Sequence, residues 1–378
     1  MKKTLLATAI AGALGASAAA QAATVYNQDG TQLDIYGNIQ IAYKNVKNDS
    51  YGNWEDEVFD NGSTIGFSGQ HIINPGLTGY FKAEFEHQAD EEKSNGGIND
   101  GDQAYLGLKG NFGDVRLGSW DPLIDDWVQD PISNNEYFDM TDSSTDLSGL
   151  YGDSAAGGDD GVSVDREGDK FQYMSPVWAG LQFAIGTQYK GDAEEEFGAD
   201  HSVSGVSSQG SNASFFGGVK YAVGAFSIAA VYDDLDNYGL HAVDNNTGET
   251  LEYEAKAYGV TAQYTIDTLR LAAKVEDTDA TYAGENGDIL RYALGARYGY
   301  ALSDNFAGDV YGSYQYVDAD SEVAPIVDNG GDEDSFNEWT VGATYNISPA
   351  MYTFVEYAQY DRTNDAGDGV AVGAVYSF

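Results

Sequence analysis

The chain has 378 residues, 61 Asp and Glu against 18 Lys and Arg, a formal net charge of −43, and no cysteine. That balance excludes a nucleic-acid partner, which needs clustered basic residues, and favours cations. The missing thiols exclude a disulfide framework and cysteine chemistry. Aromatic residues make up 13% of the chain, too many for an acidic disordered segment.

In chain order, Met1–Ala22 reads as a secretory signal. Lys2 and Lys3 form a basic start, Leu5–Leu14 an apolar run, and Ala20-Gln21-Ala22 a small-x-small cleavage site. The apolar run is too short to span a bilayer, and no later stretch approaches the length of a membrane helix. A barrel of strands escapes that test, because half its residues face water. The mature protein, 23–378, is expected to be one transmembrane β-barrel.

Period-2 alternation recurs along it. Phe81, Ala83 and Phe85 oppose Lys82, Glu84 and Glu86. Leu181, Phe183, Ile185 and Tyr189 oppose Gln182, Gly186, Gln188 and Lys190. Leu269, Leu271, Ala273 and Val275 oppose Arg270, Ala272, Lys274 and Glu276. Leu290, Tyr292, Leu294, Ala296, Tyr298 and Tyr300 oppose Arg291, Ala293, Gly295, Arg297 and Gly299. Successive strand side chains point to opposite faces, so each segment has an apolar and a polar face. Aromatics cap many apolar faces (Tyr258 and Tyr264, Tyr232 and Phe226, Trp339 and Tyr345), as girdles at two membrane interfaces would. A soluble secreted sandwich could carry the same alternation on its core faces.

The connections favour the barrel. Short ones sit at Asn74-Pro75-Gly76, Asn111-Phe112-Gly113, Ser175–Gly180, Val223-Gly224, Ile266-Asp267-Thr268, Leu302–Asn305 and Ser348-Pro349-Ala350; long acidic ones alternate with them. Brief turns on one side and long loops on the other predict about sixteen antiparallel strands of roughly ten residues. The last strand places Val370, Val372, Ala374, Tyr376 and Phe378 on one face, with an aromatic at its end.

One connection stands apart. The stretch 121–166 holds twelve Asp and Glu and no basic residue before Arg166. Structureless loops this long are uncommon and usually functional. It is expected to fold into the lumen as an acidic constriction. Its candidates are Asp125, Asp126, Asp130, Glu136 and Asp139.

At these residues the chain resembles the general diffusion porins of Gram-negative outer membranes. Val25-Tyr26-Asn27-Gln28-Asp29-Gly30 through Leu33-Asp34-Ile35-Tyr36-Gly37 is similar to the family's opening strand. Asp169–Gly180 is similar to the turn after its third loop, and Ala371–Phe378 to its closing strand. The resemblance implies a homotrimer of sixteen-stranded, water-filled barrels in the outer membrane, in contact with lipid and lipopolysaccharide and narrowed by the third loop. It implies trimer contacts through the strands nearest the N-terminus, and passive diffusion of small hydrophilic solutes. By resemblance, wall positions opposite the loop fall at Thr64, at Asp102 or its neighbour Gln103, and at Asn38, where the family often places basic residues. Arg166 is the basic match that survives, and Glu84 matches a wall acid. The family's Pro-Glu-Phe-Gly-Gly turn is absent.

Alternation adds wall candidates without the family. Lys82, Arg116, Arg291 and Arg297 lie on polar faces, and a charge on the lipid face costs about 2–4 kcal/mol at the midplane, so they should point inward. Acids on the loop opposite bases on the wall would set a transverse field, and the acid excess predicts a cation preference. An aromatic file for sugars could start at Trp120, Trp127, Tyr137, Phe138 and Tyr151, although packing of the loop explains these residues equally well. The surplus acid suits a saline habitat, where screening relieves repulsion. Divalent bridging at Asp90-Glu91-Glu92 or Asp332-Glu333-Asp334 is the alternative, without the spacing of a calcium loop. No hydrolase elbow, phosphate loop, dinucleotide fingerprint or close histidine pair occurs, so no catalytic residue, cofactor or metal is expected.

Overall fold

The computed structural model describes residues 22–47, 52–90, 98–128, 136–138, 168–190, 212–234, 240–243, 250–282, 284–303, 306–328 and 333–378. Residues 1–21 of the expected signal, most of the loop 121–166 and the clusters Glu91-Glu92 and Asp332 lie outside them.

Nineteen strand segments run in chain order: β1 (Ala23–Gln28), β2 (Thr31–Lys47), β3 (Trp54–Asp60), β4 (Thr64–Asn74), β5 (Leu77–His87), β6 (Ile98–Gly110), β7 (Gly113–Ser119), β8 (Lys170–Met174), β9 (Leu181–Lys190), β10 (Asn212–Val223), β11 (Phe226–Asp234), β12 (Leu240–Val243), β13 (Thr250–Ile266), β14 (Leu269–Tyr282), β15 (Glu285–Ser303), β16 (Phe306–Ala319), β17 (Ser335–Ser348), β18 (Met351–Tyr360) and β19 (Gly369–Ser377). Each pairs antiparallel with its neighbours, and β19 pairs with β2, so the sheet closes. Three pairs of segments lie end to end. β3 and β4 both pair with β2, β11 and β12 with β13, and β1 and β19 share one side of β2. The wall is therefore a closed barrel of 16 antiparallel strands. Closure leaves no strand edge unpaired, which a lipid environment requires.

The register fixes which face is which. On β15, Tyr292, Leu294 and Tyr298 are 44%, 60% and 50% exposed, whereas Ile289, Arg291 and Ala293 are 0%, 0% and 2% exposed. A one-residue slip would exchange the two sets. The outward side is an apolar belt, carried on other strands by Leu106, Leu117, Ile185, Val260 and Val372. Aromatic neighbours meet across its strands: Tyr232 with Tyr258 at 5.1 Å, Trp339 with Tyr357 at 5.3 Å and Phe306 with Tyr345 at 5.4 Å between ring centres. Such pairs add about 0.5–1.5 kcal/mol beyond area burial.

Inside the wall lies an apolar core. The short helix Leu123–Trp127, which follows β7, buries Leu123, Ile124 and Trp127. The helical turn Ala324–Val327, between β16 and β17, buries Ile326 and Val327. Both belong to one cluster with the inward residues Phe216, Val231, Ile289, Val317 and Phe336. Phe138 joins a second cluster with Ala42, Phe354, Ala358, Tyr360 and Val375. Glycine makes the close approach possible at two wall positions. A Cβ at Gly259 would sit 2.4 Å from Val128, and one at Gly287 would sit 2.8 Å from Val323.

Candidate pore site

Among the described residues, three groups of charged and polar side chains bear on the long loop. The first sits at the root of the long loop. Arg116 on β7 lies over the Trp120 ring, with Cζ 4.2 Å from its centre and Nη2 3.8 Å from Oδ2 of Asp126. Lys170 on β8 is buried and donates from Nζ to the Trp120 carbonyl at 2.9 Å. The helix lifts Asp126 off the wall while Leu123, Ile124 and Trp127 hold it there, so its carboxylate stays 44% exposed. Asp125 on the same turn is half-buried.

The second group docks the loop at residues 136–138. Glu356 on β18 is fully buried and points inward. Its carboxylate accepts from the backbone N–H groups of Glu136 (3.2 Å), Tyr137 (2.8 Å) and Phe138 (3.0 Å), and from the Tyr311 hydroxyl at 2.6 Å. Hydrogen bonds to a charged acceptor are among the strong ones. The Glu136 side chain accepts from the Tyr352 hydroxyl at 2.6 Å and lies 3.9 Å from Nη2 of Arg297. Arg297 also faces Asp309 at 3.5 Å and covers the Tyr311 ring at 4.6 Å. Burial pushes the Glu136 carboxyl above the ordinary glutamate range, against the pull of Tyr352 and Arg297. Asn61 donates to the Glu136 carbonyl from the opposite flank.

The third group lies on β2 to β6. Lys82 donates to Glu84 at 3.3 Å and to Gln103 at 3.1 Å. Gln103 in turn donates to Asp121 at 2.6 Å, at the start of the long loop. Glu84 and Asp102 lie within hydrogen-bonding reach of each other. Asn38 donates to the Thr64 hydroxyl at 3.1 Å.

Arg291 behaves differently. It points inward, as alternation requires, but is fully buried, with Nη1 3.5 Å from Glu276 and 3.3 Å from the Thr278 hydroxyl. Lys274 reaches Glu276 at 3.5 Å. Buried charges persist only when paired in this way. Asp130, Asp139 and Arg166 lie outside the described residues, as does Tyr151. Trp120, Trp127 and Phe138 are 1%, 7% and 4% exposed. Their rings serve packing and offer no free face to a solute. Glu356 is the residue that sequence reasoning missed. Its signal was available: one carboxylate on an inward face otherwise made of Phe354, Ala358 and Tyr360 needs donors from somewhere.

A sixteen-stranded closed barrel with an apolar outside and charged inner walls is a channel architecture of the outer membrane. A profile of the Gram-negative porin family matches residues 7–365, and the chain belongs to that family. A protein from a Halomonas species called "Monosaccharide porin" is 52% identical over the whole of both chains, as is the "Major outer membrane protein" of Halomonas elongata. "Outer membrane porin F" of Escherichia coli K12 is 28% identical over the whole of both chains. Among solved structures, OmpF of Salmonella typhi in complex with daunomycin covers 94% of this chain and 100% of its own, at 20% identity and a TM-score of 0.66. The anion-selective porin of Comamonas acidovorans covers 92% and 100%, at 18% identity and a TM-score of 0.64. The protein is thus an outer-membrane porin, a non-enzymatic channel for passive diffusion.

Proposed function

We propose that the loop 121–166 narrows the lumen and that the channel prefers cations. The observation that carries this is the β2–β6 wall. Where the family resemblance leads one to expect bases, Asn38 and Thr64 are neutral and Asp102 is acidic, beside Glu84. Lys82 there is paired with Glu84 at 3.3 Å, Lys44 with Glu57 at 3.4 Å, and Lys109 lies over the Tyr80 ring. A permeating ion meets Glu84, Asp102 and neutral groups along this wall, its lysines being held by carboxylates or rings. Asp125, Asp130, Glu136 and Asp139 are assigned to the loop side of the constriction, and Arg116, Arg166 and Arg297 to its basic edge. The solutes are ions and small hydrophilic molecules. The mature chain, from Ala23, acts as a homotrimer set in lipid and lipopolysaccharide, and its acid excess adapts it to salt. A reversal potential measured across a planar bilayer under a salt gradient tests the preference. A cation-permeable sign is expected, and a zero or anion sign overturns it.

The name of the Halomonas relative, "Monosaccharide porin", favours one further reading, in which a monosaccharide is among the solutes. A saturable fall in conductance on adding a monosaccharide supports it; strictly linear dependence on sugar concentration speaks against it.

A further inference from the structure

The inward-facing charges fall into two populations, divided by their place around the barrel. On β13 to β18 most are sealed, Arg297 and Asp309 excepted. Lys274, Glu276, Arg291, Glu338 and Glu356 are all 3% exposed or less. On β2 to β6 they keep contact with solvent. Asp34, Asn38, Thr64, Lys82, Asp102 and Gln103 are each half-buried. Along that second wall runs a cavity of about 430 Å³, lined by Asp34, Gln70, Tyr80, Lys82, Tyr105 and Lys109.

The division follows the loop between β16 and β17. That loop turns inward at Asp320, whose carboxylate accepts from the Asp288 N–H at 3.1 Å while its own N–H donates to the Asp288 carbonyl at 2.9 Å. It then drives Val323, Ile326 and Val327 into the same buried cluster as Leu123, Trp127 and Val128. Asp328 pins its far end by accepting from the Thr363 N–H at 2.8 Å and the Thr363 hydroxyl at 2.6 Å. Val323 and Val128 rest on wall glycines, 287 and 259, at distances that leave no layer of water between insert and wall. A close-packed apolar contact of this kind excludes water and ions.

We infer that the loop 320–328 is a second constricting element, packed with the helix Leu123–Trp127, and that at its level solutes pass along the β2–β6 side, Arg297 and Asp309 being the half-buried pair left open on the facing strands. The selectivity-determining side chains are then Lys82, Glu84, Asp102 and Gln103. The Lys274–Glu276–Arg291 group is structural and does not meet the permeating ion. This inference rests on the chain being an open channel, but not on the sign of its ion preference.

The chain has no cysteine, so single thiols can be placed at will. Lys82→Cys and Gln103→Cys test the open wall, and Thr278→Cys tests the sealed one. Reconstituted protein is treated with a charged methanethiosulfonate while current is recorded. At positions 82 and 103 modification is expected to reduce conductance rapidly. At position 278 the reaction is expected to be about a hundredfold slower or absent, since access there needs local opening. Adding Val323→Asp and Ile326→Asp to Thr278→Cys is expected to raise conductance and make that thiol react. Equal rates at 82 and 278 in the unaltered loop overturn the inference. So does current that ignores modification at both 82 and 103, because ions would then travel elsewhere. Parent protein that carries no current at all fails the channel assignment instead, and is read separately from these rates.

Discussion

Replacing Glu356 by Ala removes the acceptor that holds residues 136–138 against the wall. Four donors converge on that carboxylate, three of them backbone N–H groups. A net hydrogen bond to a charged group contributes about 1.5–3 kcal/mol, but four donors sharing one acceptor do not add fully. Breaking one side of a buried charged contact costs about 3–5 kcal/mol. A loss of about 4 kcal/mol lowers the ratio of docked to undocked loop by roughly a thousandfold. The Phe138 ring and the Glu136–Tyr352 hydrogen bond remain to oppose release. Single-channel recordings of the Glu356→Ala protein are expected to show larger conductance and strong open-channel noise. Thermal dissociation should change little, because the wall's ladder is untouched. Glu356→Gln keeps one acceptor oxygen and should fall between. Quiet recordings at parental conductance in the Ala variant would refute the assignment of Glu356 as the anchor.

Acidification should tighten the same contact through Glu136. Its carboxyl titrates above the ordinary glutamate range because docking buries it, so protonation favours the docked state, and that stabilisation is lost as pH rises through the raised value. Conductance should therefore fall as pH drops through a range milder than free glutamate would need, and the effect should vanish in Glu136→Gln. Glu84→Gln combined with Asp102→Asn should shift the reversal potential toward anions; an unchanged potential would move the selective acids elsewhere. Arg291→Met leaves Glu276 buried with Lys274 alone. Heat stability should fall by about 3–5 kcal/mol with ion preference unchanged, measured by thermal denaturation and by reversal potential on one preparation. Gly259→Ala sets a methyl 2.4 Å from Val128, and overpacking of this kind costs about 1–3 kcal/mol. Loosening of the helix Leu123–Trp127 should appear as added current noise.

The wall was legible because alternation is a local property. Leu290 to Tyr300 announces both its faces, and the short turns at 74–76, 111–113 and 348–350 announce the hairpins. What lies across the lumen is not local. Lys82 and Arg291 carry the same signal, a base on the polar face of a strand, yet one stays half-buried beside a cavity and the other is sealed. Val323, Ile326 and Val327, which pack with Ile289 on the same strand face as Arg291, lie in a loop that reads simply as one of several acidic connections. Likewise Trp120 and Trp127 read equally well as a stacking surface or as packing. Only their surroundings decide for packing: Trp127 sits in the apolar cluster against Gly218, and Trp120 is covered by Arg116, Lys170 and Tyr105.

The Glu356 contact joins positions 220 residues apart in the chain. The carboxylate that accepts from the N–H groups of residues 136–138 is in place only once β18 has been laid down, so the full lodging of the loop must come late in assembly. Before that moment the cylinder has a wider mouth than the finished one. The order of folding thus imposes a leaky interval on every newly inserted copy, and its duration is set by how fast a tethered segment finds a single buried carboxylate.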